Sequence, residues 1–156
     1  MSIWFKKDWD IEKLNQFAAN TMNELIGIKF IEVGENYIKA TMPVDNRTRQ
    51  AYGILHGGAS ATLAETIGSV ASIMVVDRDQ FYCVGVEINA NHLRSVKEGF
   101  VIATAIPLHL GLSSHVWDIK MIDRNEKLVC VSRLTVFVKK SLRINEETQP
   151  PLVHPV

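Results

Sequence analysis

The chain has 156 residues, 47% hydrophobic and 22% charged, a composition that suits one globular domain with a substantial core. Lys and Arg together number 17, as do Asp and Glu, so the formal net charge is zero. This balance argues against a protein that binds nucleic acid or an anionic membrane surface.

The chain begins with signals for a short helix and two strands. Asp10 can cap a helix over residues 10–24, whose apolar residues follow helical spacing. From Ile26 the apolar residues alternate, which predicts a strand, and 34–36 predicts a turn into a second strand that ends near Pro43. No apolar signal segment precedes these elements, so we expect a cytoplasmic protein.

A polar loop over 45–55 leads to the most informative stretch, from Gly57 to Val76, whose one charged residue is Glu65. The other residues are apolar, small or hydroxylic, which predicts a long helix buried on nearly every side. Five hydroxyl residues, three glycines and the central acid argue against a membrane span. A lone buried carboxylate costs several kcal/mol unless it is paired or hydrogen-bonded, so we expect Glu65 to serve chemistry.

Four more strands are predicted after this helix. The first places four apolar residues on one face: Val84, Val86, Ile88 and Ala90. A hairpin turn at 97–99 leads to a strand from Phe100 to about Leu108, and Gly111 marks the next turn. The last two strands are expected over 115–122 and 128–138. Cys83 and Cys130 lie in these apolar runs and are expected to be reduced, buried thiols.

This order of elements predicts an α+β domain over 1–140, with a curved antiparallel sheet of about six strands around one long central helix. The polar tail over 141–156 is expected to lie on the surface or to be disordered. One helix cannot cover such a sheet completely, so we expect self-association.

The loop and helix carry a set of chemically suited residues: Gln50, His56, Gly57, Glu65 and Ser69. Over about residues 3–138 the chain resembles the hotdog-fold acyl-CoA thioesterases. It is most similar to the aryl-CoA branch, which includes 4-hydroxybenzoyl-CoA thioesterase and the menaquinone- and enterobactin-pathway enzymes. The resemblance is carried by 42–50, 53–60, 64–69 and 87–92. It implies hydrolysis of an acyl-CoA thioester, with dihydroxynaphthoyl-CoA or a broad acyl range as the leading options. This reaction would need no cofactor beyond the CoA of the substrate.

Each residue of the set has a catalytic and a structural interpretation. Glu65 would be the nucleophile or the general base that activates water, or else a structural acid satisfied by hydroxyls. Gly57 and Gly58 would present backbone N–H groups to the developing oxyanion, or only shape the turn into the helix. Ser69 lies one helical turn beyond Glu65 and could hold its carboxylate, or simply pack.

Gln50 and His56, which precede the helix, also have both a catalytic and a structural interpretation. Gln50 could orient water or the carboxylate, or be a solvated loop residue. His56 could donate to the thioester carbonyl, or cap the helix.

CoA carries phosphates, so a basic rim is expected, and His92, Arg94 and Lys97 are predicted to form it. The resemblance implies that a second segment borders the nucleotide, with these residues: His109, Gly111, Ser113 and Ser114. Relatives often carry Arg or Lys in this turn, whereas this chain has Leu112 and Ser114. The five histidines show no metal-ligand spacing, so no metal is expected.

Gly57 and Glu65 are eight residues apart, about 12 Å along a helix, too far for both to contact one thioester carbon. A symmetric homodimer with composite sites would remove this difficulty, and the resemblance implies that such dimers pair into tetramers. Two other functions stay open: an enoyl-thioester hydratase or dehydratase, and a non-catalytic acyl-CoA sensor.

Overall fold

The computed structural model describes residues 2–7 and 9–141. Its elements follow in chain order: α1 Ile11–Gln16, α2 Met22–Leu25, β1 Lys29–Val33, β2 Ile38–Pro43, α3 Gly57–Val75, β3 Phe81–His92, β4 Phe100–Leu110, β5 Ser114–Asp123 and β6 Leu128–Lys140. The predicted order is confirmed, with one additional short helix. The tail from 142 onward lies outside the described residues, so the domain limit near 140 stays a prediction.

One antiparallel sheet organises the described chain. Its six strands lie in the order β1-β2-β4-β5-β6-β3, so β3 is an edge strand beside β6. The long helix α3 packs against β2, β3, β4, β5 and β6. This arrangement confirms the predicted α+β fold with a central helix and a six-stranded antiparallel sheet.

The core lies between α3 and the sheet. Residues of α3 at helical spacing are buried, among them Leu63, Ile67 and Ala71. The indole N–H of Trp117 on β5 donates to the Ser72 hydroxyl at 2.8 Å, and both side chains are fully buried. By length and hydropathy α3 could cross a bilayer, but its position identifies it as the core helix of the fold.

The predicted single helix over 10–24 is wrong, because the structure divides it into α1 and α2. Asn20 adopts a left-handed backbone conformation with φ 59° and ends the first segment. Thr21 then caps α2 by accepting from the Asn23 N–H. Gly27, with φ 76°, delays the start of β1 from the predicted Ile26 to Lys29.

The predicted hairpin turn at 97–99 is also wrong. β3 pairs with β6, whereas β4 pairs with β2 and β5, so residues 93–99 connect two separated positions in the sheet. Backbone hydrogen bonds hold this connection to neighbouring segments at both of its ends. Val44 donates to the Gly99 carbonyl at 2.8 Å, and Leu55 donates to the Val96 carbonyl at 2.8 Å.

β3 does not keep its four apolar residues on one face. The pairing with β6 shifts between Gly85 and Glu87, so Val86 is an extra residue in a β-bulge. Before the bulge, Val84 points outward and is 46% exposed, and Val86 is 51% exposed. After it, Ile88 and Ala90 pack against the core. The bulge thus reverses which residues of β3 face the core: odd-numbered positions before it and even-numbered positions after it.

Candidate active site

Glu65 lies in the middle of α3, the buried central helix of the fold, and is half-buried in the single chain. The helix buries one stripe of residues against the sheet. Its other side is partly open and carries Glu65, Ser69 and the Thr62 and Thr66 hydroxyls. The carboxylate therefore stands on the accessible side of the core helix.

Two groups surround the Glu65 carboxylate. The Ser69 hydroxyl, one helical turn further on, donates to Oε1 at 3.5 Å. On the other side the carboxylate rests on β3 at Gly85, where a methyl group in place of the glycine hydrogen would overlap Oε1. Sequence reasoning paired Glu65 with Ser69 but missed Gly85. An isolated glycine within an apolar strand was the available signal.

His56 caps α3. Its Nδ1 accepts from the Gly58 N–H at 2.8 Å, so the neutral ring carries its proton on Nε2. This bond occupies the Gly58 N–H. In the described part of the chain the Gly57 N–H has no hydrogen-bond partner. Of the two predicted oxyanion donors, the structure therefore leaves Gly57 free and engages Gly58.

Gln50 lies in the loop before the helix, half-buried. Its side-chain carbonyl accepts from the Tyr52 N–H at 2.6 Å, while its own backbone N–H donates to Ile54. The His56 N–H donates to the Thr48 carbonyl at 2.8 Å, which ties the start of the helix to the same loop. Gln50 and His56 thus belong to one hydrogen-bonded loop.

Two members of the predicted basic rim lie beside the start of α3. His92 and Arg94 line a cavity of ≈ 270 Å³ together with Ser60. The His92 ring lies over Gly57, because an added Cβ there would stand 2.8 Å from its Nε2. Lys97 lines a different cavity, with Glu98, Asp123 and Arg124, so the structure does not bring it together with His92 and Arg94.

The predicted nucleotide-bordering turn lies at the opposite end of β3. The Gly111 N–H donates to the Ser114 carbonyl at 2.9 Å, the Ser113 carbonyl accepts from Val138, and the His109 ring packs across Gly111. Val138 pairs with Cys83, near the start of β3, whereas His92 ends the strand. Cys83 and His92 are nine residue steps apart along the strand, which corresponds to about 30 Å. One chain therefore does not bring the turn and the basic rim together.

A cavity of ≈ 520 Å³ lies at the C-terminal end of α3 and contains Gly111 but none of the predicted catalytic residues. Its lining is mainly apolar: Phe5, Val75, Val76, Phe81, Leu110, Leu112 and Val138, with Asp77, Gln80, Gly111 and His115. Phe81, Cys83 and Gly85 alternate along β3, so the cavity continues the strand face on which Glu65 rests. Burial, and to a smaller extent His109, lowers the pKa of His115.

Cys83 and Cys130 are free thiols, as predicted. Burial raises the pKa of Cys83 to about 11 and also raises that of Cys130. Among residues 2–7 and 9–141 no group of three His, Cys, Asp or Glu side chains is placed to hold a metal ion.

Comparison with known proteins gives consistent matches. The model of the thioesterase superfamily matches residues 52–130. The 1,4-dihydroxy-2-naphthoyl-CoA hydrolase of Escherichia coli is 46% identical over 136 residues, covering 87% of this chain and 98% of that protein. The proofreading thioesterase EntH of Cronobacter turicensis is 45% identical, with the same coverage. A mutant thioesterase from Pseudomonas aeruginosa superposes with a TM-score of 0.88 at 46% identity, covering 90% of this chain and 100% of that one.

Proposed function

This chain belongs to the thioesterase superfamily and is a hotdog-fold thioester hydrolase, and we propose that it hydrolyses an acyl-CoA with an aromatic or otherwise bulky acyl group. The products are the free acid and CoA, and the reaction takes place in the cytoplasm. The observation that carries the proposal is the Glu65 carboxylate, which stands on the open side of the core helix between Ser69 and β3.

Glu65 can act in either of two ways. As a nucleophile it attacks the thioester carbon and expels the CoA thiolate, and water then hydrolyses the acyl-glutamate anhydride. As a general base it takes a proton from water while that water attacks the same carbon, and the tetrahedral intermediate then breaks its C–S bond and releases CoA, whose sulfur takes up the proton. Ser69 holds the carboxylate in both mechanisms, and Gln50 is suited to orient the water through its side-chain amide.

The start of α3 supplies the complementary donors. The free Gly57 N–H and the Nε2 proton of neutral His56 can both donate to a thioester oxygen as it gains negative charge. The positive end of the helix dipole adds to this stabilisation. Gly58 contributes indirectly, because its N–H fixes the tautomer of His56.

Two subunits are needed to combine these parts. Gly57 is about 12 Å from Glu65 along α3, so the donors of one chain cannot serve its own acid. We propose a homodimer in which Glu65 and Ser69 of one subunit face Gln50, His56 and Gly57 of the partner subunit.

The edge strand β3 is the surface on which we place this dimer contact. It is 12 residues long, is paired on one side with β6, and carries the half-exposed Val84 and Val86. A long apolar edge strand is suited to pairing with a second copy. A twofold axis through the middle of β3 would bring Phe81 beside His92 of the partner subunit.

This pairing also joins the two halves of the predicted CoA rim. The 111–114 turn lies near the start of β3 and Arg94 lies just beyond its end, so the twofold axis would bring the turn of one subunit toward Arg94 of the other. Arg94 is suited to the CoA phosphates because of its forked guanidinium. Exposed apolar side chains on the sheet, Ile106, Leu108 and Phe137, offer a surface for pairing dimers into tetramers.

The cavity of ≈ 520 Å³ at the C-terminal end of α3 supports a bulky acyl group. It begins about 13 Å along β3 from Gly85 and has a mainly apolar lining, so an acyl group whose thioester lies at Glu65 can extend into it. The E. coli and Cronobacter relatives have different names at nearly equal identity. We therefore keep both dihydroxynaphthoyl-CoA and a broader set of acyl-CoA esters as substrates.

Free-thiol release from a panel of aryl, short-chain and long-chain CoA esters tests this function. The wild-type protein should release CoA fastest from aryl esters, and Glu65→Gln should abolish turnover while the protein stays folded. Wild-type turnover by Glu65→Gln would refute the role of Glu65. Binding without release by the wild type would instead identify a sensor, and hydration of an enoyl-CoA would identify a hydratase.

Subunit complementation tests the composite site. Glu65→Gln and His56→Ala should each lose most of their activity, whereas an equal mixture co-assembled as dimers should regain about a quarter of wild-type activity. Half of those dimers are mixed, and each mixed dimer has one intact site. No recovery in verified mixed dimers would refute the composite arrangement.

A further inference from the structure

Gly85 is the one glycine of β3, and the side chain that lies nearest to it across the packing is that of Glu65. A Cβ built at this position would meet three heavy atoms nearest to it, and all three belong to Glu65: Oε1, the carboxyl carbon and Oε2. Oε1 would overlap the added atom, and the carboxyl carbon would lie 3.1 Å away. The carboxylate of Glu65 therefore occupies the space that any side chain at position 85 would take.

The backbone does not require glycine at this position. The glycines with positive φ are Gly27, Gly53 and Gly99, so among the described residues Gly85 is not in the conformation that L-residues avoid. A glycine inside a strand is also less stable than alanine, because it loses more backbone entropy on folding. An alanine at position 85 would suit the strand better, except for its collision with Glu65.

The strand changes its course at the same point. Gly85 pairs with Val136 and Glu87 pairs with Thr135, so the bulge residue Val86 follows directly after the contact with Glu65. β-bulges re-aim side chains and are frequent next to active sites. Here the bulge follows Gly85 directly and leaves both Val86 and Glu87 facing outward before Ile88 returns to the core side.

We propose that Gly85 is a positioning residue that fixes the reactive orientation of the Glu65 carboxylate. The strand backbone bounds Oε1 of the carboxylate on one side, and the Ser69 hydroxyl holds the same oxygen on the other. These two contacts fix the carboxylate for a substrate that binds on the open side of α3. This role rests on the proposed function of Glu65. Gly85 has no side chain to offer to the substrate, and acts only through the space that it leaves for the acid.

The test is Gly85→Ala in two backgrounds, wild type and Glu65→Ala. With Glu65 present, the added methyl displaces the carboxylate, so kcat should fall at least tenfold while KM for the acyl-CoA stays within about threefold. The urea midpoint should also fall. In the Glu65→Ala background the collision is absent, and Gly85→Ala should leave the midpoint unchanged or raise it.

Gly68→Ala on α3 is the matched control. Its methyl would stand 2.5 Å from Leu134 Cδ2 on the core side of the helix, away from Glu65. It should lower the urea midpoint equally in both backgrounds. If Gly85→Ala alone fails to fold, recovery of the native fold in Gly85→Ala/Glu65→Ala serves as the readout.

The outcomes separate this inference from the proposed function. Wild-type turnover by Glu65→Gln would refute the function itself, whatever Gly85→Ala does. If Glu65→Gln is inactive but Gly85→Ala keeps wild-type kcat, the positioning role is refuted. An equal loss of midpoint from Gly85→Ala with and without Glu65 would also overturn it, because the glycine would then serve the strand and not the acid.

Discussion

His56 has two proposed roles, as the cap of α3 and as a donor to the oxyanion. They can be separated by comparing a substitution that keeps only the cap with one that removes both groups. As a cap, its Nδ1 accepts the Gly58 N–H at 2.8 Å. As a catalytic donor it would use the proton on Nε2, at the other side of the ring. His56→Ser retains an oxygen for the cap, since serine is a preferred N-cap residue, but its hydroxyl does not extend to the position of Nε2. His56→Ala removes both groups.

The magnitudes of the two effects are different. Loss of an N-cap costs about 1 kcal/mol, and both His56 and Gly58 are exposed, so water can partly replace the lost bond. His56→Ala should therefore lower the urea midpoint by roughly 0.3–1 M, and His56→Ser should change it little. Loss of an oxyanion donor costs about 10²–10³ in kcat, so both variants should lose activity to that extent.

Urea unfolding followed by tryptophan fluorescence gives the first quantity, and thiol release from an aryl-CoA at saturating concentration gives the second. Near-wild-type kcat in His56→Ser would refute the donor role and leave His56 as a cap. Equal urea midpoints for the alanine and serine variants would refute the cap.

Three further predictions concern buried groups. Burial lowers the pKa of His115 below 6.5, so the unfolded chain takes up more protons and the free energy of unfolding should fall as pH drops below that value. Urea titrations at about pH 7.5 and about pH 5 should show a smaller fall for His115→Phe than for the wild type. Equal pH dependence of the two proteins would contradict this. With a pKa of about 11, Cys83 should react with iodoacetamide at about pH 8 roughly 100-fold more slowly in the folded protein than in urea, as measured by mass spectrometry; equal rates would count against it. Ser72→Ala leaves the Trp117 N–H without its partner and should cost about 1–3 kcal/mol in urea unfolding, a loss that should shrink in a Trp117→Phe background.

Local patterns were sufficient to predict most of the fold. Ile38, Ala40 and Met42 alternate in the sequence and are fully buried in β2, because one face of that strand covers the core. The same reasoning failed in β3. Val84 and Val86 continue an apolar alternation with Ile88, but the side on which each lies is decided by its register with β6, a strand that is distant in sequence.

The composition of the candidate site was predictable, but its detailed contacts were not. The solitary charge at Glu65 and its spacing to Ser69 are visible in the sequence, and the 3.5 Å bond between them follows from one helical turn. The separation of Lys97 from Arg94 depends on how the connection after β3 crosses to β4. The contact between Gly85 and Glu65 depends on how α3 crosses the edge strand, which no local pattern encodes.

The pairing of β3 with β6 also has a consequence for biosynthesis. Phe81 pairs with Lys140, so β3 leaves the ribosome long before β6, the one strand that pairs with it within the described subunit. Until β6 has been translated, the strand on which the acid rests has no hydrogen-bonded partner strand to hold it in place. Contacts between residues so distant in sequence form slowly, because a large loop must close first. A growing chain can therefore build its helix early, but it acquires a working acid only after β6 has been translated.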